Sequence, residues 1–314
     1  TLALLEPDEQ DRVVGCVINK FRGDVALLQP GLKMLEEKTK VPVLGVIPYV
    51  PLDLDEEDSL APCLTRTSHH KPVDLAVIRL PRLSNFTDFA PLERHEALGV
   101  RYVSRVEELG RPDGVLLPGT KNTMGDLLWL RQNGLEAEIK KLAAQGTPLL
   151  GICGGLQMLG RAILDPLGLE SAEPSVPGLG LMDLASTFAA DKTLASVRRA
   201  TTPLPVMTGG YEIHHGHTSH GPSALPLFVR EGEGAPEERV CGYVSGRRWA
   251  TYLHGLFDDD AFRRAWLDHV RQDVGLKPQG RQLVRCDLEA SLDRLADVVR
   301  QNVDMKAIYR HLEL

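Results

Sequence analysis

A cysteine set among glycines is the strongest chemical feature of this sequence. The stretch Leu149-Leu150-Gly151-Ile152-Cys153-Gly154-Gly155-Leu156-Gln157-Met158-Leu159-Gly160 joins an apolar run ending at Ile152 to an amphipathic run. The first reads as a short buried strand and the second as a helix. Cys153 therefore falls on a tight strand-to-helix turn, the geometry of a nucleophile elbow with Cys in place of Ser. Such a turn lifts the side chain clear of the sheet, and the adjoining helix N-terminus favours a thiolate. Glycines beside the sulfur let a substrate carbonyl reach backbone N–H groups that can hold an oxyanion. A cysteine that only filled core space would not need three glycines around it.

A thiol nucleophile needs a base to form thiolate and an acid to protonate the leaving group, and one imidazole serves both. His254 qualifies, in Tyr252-Leu253-His254-Gly255-Leu256-Phe257 at a predicted strand end. A further strand, Gly114 to Leu117, runs into Pro118-Gly119-Thr120-Lys121-Asn122-Thr123, with Asn122 or Thr123 as N-cap of the next helix. A glycine at such a strand end leaves an open N–H for an oxyanion. The stretch Gly210-Tyr211-Glu212-Ile213-His214-His215-Gly216-His217 invites a metal reading. Strand alternation splits its histidines between two faces, and no acid or cysteine completes a ligand set, so no metal is expected.

These residues need a parallel sheet behind them. Arg12 to Asn19 reads as a strand, Leu27 to about Glu37 as a helix and Val41 to Pro48 as a second strand, one βαβ unit. Residues 51–72 are acidic, then polar, and read as a linker. A new strand series begins at Val73, with further strands expected at Val100 to Val103, Gly178 to Met182, Val206 to His215, Val240 to Val244 and Trp249 to Leu253. Asp258 to Val274, and then Leu288 onward, read as amphipathic surface helices. The expected division is 1–50, a linker 51–72, a main domain 73–262 and a helical tail 263–314.

Composition sets bounds. The 314 residues are 43% hydrophobic and carry a net charge of −7 without a long basic run, which argues against nucleic acid. The five cysteines are far apart and without metal-ligand spacing, which suits a reducing cytoplasm. No apolar run is long enough to span a bilayer, and no signal peptide is recognisable. The sequence opens on Thr1 and enters structure almost at once, so it reads as a piece of something longer.

Gly151, Cys153, Gly155 and Gln157 match the Gly-x-Cys-x-Gly-x-Gln pattern, which resembles the glutaminase elbow of class I glutamine amidotransferases. The resemblance implies that Cys153 attacks the side-chain amide of glutamine, forms a glutamyl thioester and releases ammonia. Gln157 would help hold the glutamine. The Gly119 and Gly154 N–H groups would form the oxyanion hole, and His254 would be the base. Most members carry His-Pro-Glu, the Glu orienting the imidazole, whereas this sequence has His254-Gly255-Leu256. The orienter stays open, with Glu212 and Asp258 as candidates.

That departure, together with Val17 to Asp24, Ser84 to Phe89 and Gly210 to His214, resembles the cobyric acid synthase family. The implied fold is α/β: a flavodoxin-like class I amidotransferase domain with a mixed sheet, preceded by part of a P-loop-type ATPase βαβ unit. In that family Tyr211, Glu212 and His214 would line the site. The residues corresponding to Asn19 and Pro48 lie near the adenine. The implied reaction is glutamine- and ATP-dependent amidation of corrin carboxylates, from adenosylcobyrinic acid a,c-diamide to cobyric acid, in cobalamin biosynthesis. ATP and Mg²⁺ would act in the longer enzyme, because no Gly-x-x-x-x-Gly-Lys-Ser/Thr occurs here and the phosphate site would lie upstream. The rivals are cobyrinic acid a,c-diamide synthase and a non-catalytic, partner-controlled glutaminase-like module. A homo-oligomer is left open.

Overall fold

The structure is a computed structural model that describes residues 2–50, 71–95, 97–273, 275–277 and 288–312. The chain forms two compact units, Thr1–Leu54 with Arg285–Leu314, and Asp55–Val284. The expected linker 51–72 lies outside the described residues except for its last two positions.

In the smaller unit the expected βαβ arrangement forms. Strands Cys16–Phe21 and Val43–Pro48 pair in parallel, joined by helix Val25–Thr39. Asp24 caps that helix by accepting the Ala26 N–H at 2.8 Å, and Lys40 closes it in the left-handed region at φ 58°. The tail does not form one body as expected. Helices Leu288–Asn302 and Met305–His311 belong to this unit, where the Asp304 N–H donates to the Leu44 carbonyl at 2.7 Å. Val303 bridges Gly45, and any side chain at Gly45 would meet the Asn302 backbone. Helix Asp260–Asp273 instead sinks Phe262, Trp266, Leu267 and Val270 into the larger unit. An amphipathic pattern shows that a helix buries one face, but not against what.

The larger unit is built on a seven-stranded mixed sheet. Its strands run in the order Leu225–Val229, Val240–Ser245, Arg248–Thr251, Leu149–Ile152, Gly114–Leu117, Val73–Ile78, Leu98–Val103. The last five are parallel and the first two add antiparallel at one edge. Every residue of Leu98–Val103, Gly114–Leu117 and Leu149–Ile152 is buried, as parallel strands covered on both faces require. Alternation sends Val73, Leu75 and Val77 into one core and Ala76 and Ile78 into the other.

A second, five-stranded sheet has the order Ser175–Pro177, Ala162–Leu164, Leu184–Ala200, Thr208–His220, Leu253–His254. Gly178 to Met182, expected as a strand, is a loop. Its N–H groups bond the end of the elbow helix instead, Leu179 to Met158 O at 2.8 Å and Leu181 to Leu159 O at 3.0 Å. The two sheets meet beside Ala200, which bridges Arg230, and again where one strand passes from the first to the second. The chain leaves the main sheet at Thr251 and joins the second sheet at Leu253, so His254 is positioned by both.

The elbow requires glycine for close approach. A Cβ on Gly155 would collide with the carbonyl of Leu117 on the neighbouring strand, and one on Gly151 would press into the Gly155 backbone. Replacing Gly155 with Ala should therefore cost on the order of 3 kcal/mol or prevent folding. Urea unfolding measures this, and a variant as stable as the parent would contradict the packing.

Candidate active site

Cys153 follows strand Leu149–Ile152 and N-caps helix Gly154–Leu159, as the sequence pattern requires. Its backbone lies at φ 52°, ψ −108°, a conformation that non-glycine residues seldom adopt. The Cys153 N–H donates to Thr251 O at 2.8 Å, tying the elbow to the strand that leads to His254. Sγ faces the Ile213 carbonyl at 3.6 Å, so strand Thr208–His220 passes over the thiol.

His254 is 1% exposed. Its Nδ1 shares a hydrogen bond with Asp88 Oδ2 at 2.8 Å, and Asp88 Oδ1 accepts the Gly255 N–H at 2.8 Å. Asp88 is therefore the carboxylate that orients the imidazole, in place of Glu212 or Asp258. It comes from the 3-10 turn Phe86–Phe89, on the loop after the first strand of the main sheet. Glu212 is engaged elsewhere, with His214 Nε2 at 3.3 Å and Arg230 Nε at 3.3 Å. Asp258 stands beside Gly255, its N–H donating to the Gly255 carbonyl at 3.0 Å. The Asp88 pairing spans 166 residues of sequence, which no local pattern reveals. The available signal was an acid in a turn between Phe86 and Phe89, where burial of both rings forces the carboxylate to find a partner.

Burial opposes charge on His254, but hydrogen bonding to Asp88 and to Cys153, and then their negative charges, outweigh it and push its pKa up to about 10. The second ring nitrogen, Nε2, is buried and lacks a hydrogen-bond partner of regular geometry among the described residues. A thiolate–imidazolium pair with a carboxylate behind it can attack a carbonyl carbon and protonate a leaving amine.

The other predicted residues fall around this pair. Gly154 begins the elbow helix, where first-turn N–H groups lack intrahelical acceptors. Thr120 packs against Gly154, so Gly119–Thr120 runs alongside the elbow. Gly119 pairs antiparallel with Ser84. The Lys121 N–H donates to Arg82 O at 3.1 Å, and hydrogen-bonded pairs recur every second residue. The Gly119 amide is thus turned to Ser84 in this conformation. Gln157 is buried, its Oε1 accepting from Thr123 Oγ1 at 3.0 Å and its Nε2 donating to Tyr252 Oη at 3.4 Å. Glu170, not singled out from sequence, accepts the Thr123 and Met124 N–H groups at 2.6 and 3.2 Å. Burial holds the Glu170 carboxyl above its ordinary range. His214 stacks on Tyr252 with ring centroids 3.7 Å apart, and Tyr211 stacks on His254. Asn19 and Pro48 lie in the smaller unit, on its two paired strands. Among the described residues no cluster of His, Cys, Asp and Glu could hold a metal ion.

Residues 74–262 match the CobB/CobQ-like glutamine amidotransferase domain. The chain belongs to this family. Among curated relatives, the cobyric acid synthase of Alkaliphilus metalliredigens is 43% identical over 100% of this chain and 65% of its own length. That of Streptococcus sanguinis is 44% identical over 99% of this chain and 63% of its own. The chain thus spans somewhat under two thirds of these relatives. A solved glutamine amidotransferase is 16% identical, with a TM-score of 0.47, over 64% of this chain and 99% of that one. The CobB/CobQ-like match takes in Cys153, His254 and Asp88 together.

The Asp88–His254 pair gives a test in activity and in stability. Asp88→Asn should lower turnover roughly 100-fold or more, as loss of acid–base function does. A raised folded pKa means the native state holds the His254 proton more tightly than the unfolded chain. That stability is complete below an ordinary histidine pKa of 6.5 and is lost as pH rises toward about 10. Urea unfolding at both ends of this range should show a larger fall for the parent than for Asp88→Asn. Equal falls would mean that Asp88 does not hold the proton.

Proposed function

We propose that this chain is the glutamine-hydrolysing part of a cobyric acid synthase, feeding ammonia to the amidation of corrin side-chain carboxylates. The observation that carries the reading is the convergence of Cys153, His254 and Asp88 beyond the C-terminal ends of strands of one parallel sheet. The Cys153 thiolate adds to the side-chain amide carbon of glutamine. The oxyanion that forms is held by the Gly154 N–H and, once released from Ser84, the Gly119 N–H. His254 gives its proton to the amide nitrogen, the C–N bond breaks, and ammonia leaves a glutamyl thioester on Cys153. Water, deprotonated by His254, then adds to the thioester carbon. The C–S bond breaks, and glutamate departs.

Gln157, fixed by Thr123 and Tyr252, shapes the pocket for the glutamine side chain. Tyr211, Glu212 and His214 line the strand above the thiol. The relatives' name supports adenosylcobyrinic acid a,c-diamide as acceptor, with ATP and Mg²⁺ activating its carboxylates. The residues of this chain do not fit a phosphate cradle, since no glycine-rich phosphate loop occurs in them. The ATP-dependent step is therefore assigned to the part of the relatives that this chain does not span. Asn19 and Pro48 would stand on the adenine side of that site. The cytoplasm, as the reducing compartment that holds such substrates, is the proposed location. No described helix is long and apolar enough to cross a membrane.

Glutamine hydrolysis decides the reading. The parent should release glutamate and ammonia in equal amounts, and Cys153→Ala should release neither. A glutamine-analogue chloroketone should alkylate Cys153 before the other cysteines, as read by peptide mass spectrometry. Glutamate release that survives Cys153→Ala, or first labelling at Cys16 or Cys241, would refute it.

A further inference from the structure

The imidazole of His254 is held in its own plane by Asp88, yet an in-plane hydrogen bond does little to stop a ring from tilting. The structure supplies a second restraint. Tyr211 stands directly opposite His254 in the antiparallel pairing of Thr208–His220 with Leu253–His254. Side chains opposed in this way leave the same face of a sheet, so register alone brings phenol over imidazole. The ring centroids lie 5.2 Å apart, with 25° between planes. Gly210 permits this approach, because any side chain there would run into the His254 carbonyl, and its φ of +155° suits glycine.

The phenol is itself fastened. Asn85 Nδ2 donates to Tyr211 Oη at 2.6 Å. Asn85 is held in the left-handed region at φ 52°, ψ 36°, and its carbonyl accepts the Asp88 N–H at 3.0 Å. The in-plane partner of the imidazole and the anchor of its face partner therefore come from one turn, Asn85 to Asp88. Tyr211 is 38% exposed, so this contact adds little to the core.

We propose that Tyr211 and Asn85 form a clamp that fixes the plane of the His254 imidazole and keeps Nε2 aligned with the Cys153 sulfur. Both are positioning residues, acting through His254. The inference rests on the glutaminase reading for its consequence in turnover, and on geometry alone for the clamp itself.

The test combines kinetics and resonance on the full chain. Tyr211→Phe and Asn85→Ala each remove the same hydrogen bond while leaving a ring over His254 or the ring in place. Each should lower kcat for glutamine hydrolysis a few-fold to about ten-fold, with KM unchanged. The double variant should fall within about two-fold of the weaker single, because one bond cannot be lost twice. Tyr211→Ala removes bond and ring together and should lose about 100-fold. By proton NMR, the His254 Cε1–H resonance, shielded by the phenol, should move downfield in Asn85→Ala. Multiplying losses in the double variant, or a rise in KM with kcat intact, would overturn the clamp, the latter making Tyr211 a substrate contact. An unmoved His254 resonance in both Asn85→Ala and Tyr211→Ala would also overturn it. A parent that releases no glutamate overturns the glutaminase reading instead, and the resonance still decides the clamp.

Discussion

The Cys153 backbone conformation is the constraint on which the site depends. A non-glycine residue at φ 52°, ψ −108° costs on the order of 1–3 kcal/mol and persists only where its surroundings leave no alternative. The surroundings here are specific. The Cys153 N–H is bound to Thr251 O at 2.8 Å, and its carbonyl accepts the Gln157 N–H at 3.2 Å. The Gly155 backbone lies so close to Leu117 that the turn cannot relax toward that strand. Relaxing φ would also drag the elbow helix through a core in which Leu156, Met158 and Leu159 are fully buried. The strain thus buys a sulfur that stands off the sheet beside open N–H groups.

Charge is the second constraint. His254 and Asp88 are both almost fully buried, and an isolated ion there would be prohibitively unfavourable. The pairing offsets this. Both Asp88 oxygens are occupied, one by the imidazole and one by the Gly255 N–H. The imidazole keeps Nδ1 toward Asp88, while Nε2 has no partner of regular hydrogen-bond geometry among the described residues. An unmatched buried polar atom calls for an explanation. At this position the explanation is the thiol, whose sulfur contributes to the high pKa of the ring. Glu212 follows the same logic at a distance, buried but shared between Arg230 and His214.

Local features were legible in the sequence and long-range ones were not. The elbow was readable because Gly151, Cys153, Gly154 and Gly155 write strand, turn and helix into adjacent residues. The Asn122 cap was readable for the same reason, and its side chain does accept the Gly125 N–H at 2.6 Å. His254 was found by its strand-end position and by chain order. Asp88 is not legible from the residues around His254 and Glu212, because the carboxylate arrives from the loop after the first strand of the sheet. In an Asn-Phe-Thr-Asp turn, an acid looks like ordinary turn chemistry. Gly178 to Met182 was misread because an alternating Gly-Leu pattern resembles a strand, while its backbone partners turned out to be the end of the elbow helix. Register was equally hidden. Nothing in the sequence says that Tyr211 faces His254 rather than a residue one place along, and a slip of one would put it on the other face.

One short segment ties three parts of the site together. Between Leu83 and Phe89 the chain pairs Ser84 with Gly119, ties Asn85 to Tyr211 and sets Asp88 against His254. These three connections reach the proposed oxyanion amide, the face of the imidazole and its Nδ1 nitrogen. The Ser84–Gly119 ladder is two residues long, and a hydrogen bond of that kind is worth only about 0.5–1.5 kcal/mol net. In the proposed reaction a developing oxyanion would compete for the Gly119 N–H as a charged acceptor, which binds about twice as strongly as a neutral carbonyl. The exchange is therefore downhill once negative charge appears on the substrate oxygen and uphill before it. The Asp88 carboxylate need not move for this to happen, because its two oxygens bond His254 and Gly255 and neither bonds the ladder. The segment can yield its grip at Ser84 while holding it at Asp88, so that in the proposed reaction the His254 proton would stay in place as the oxyanion was captured.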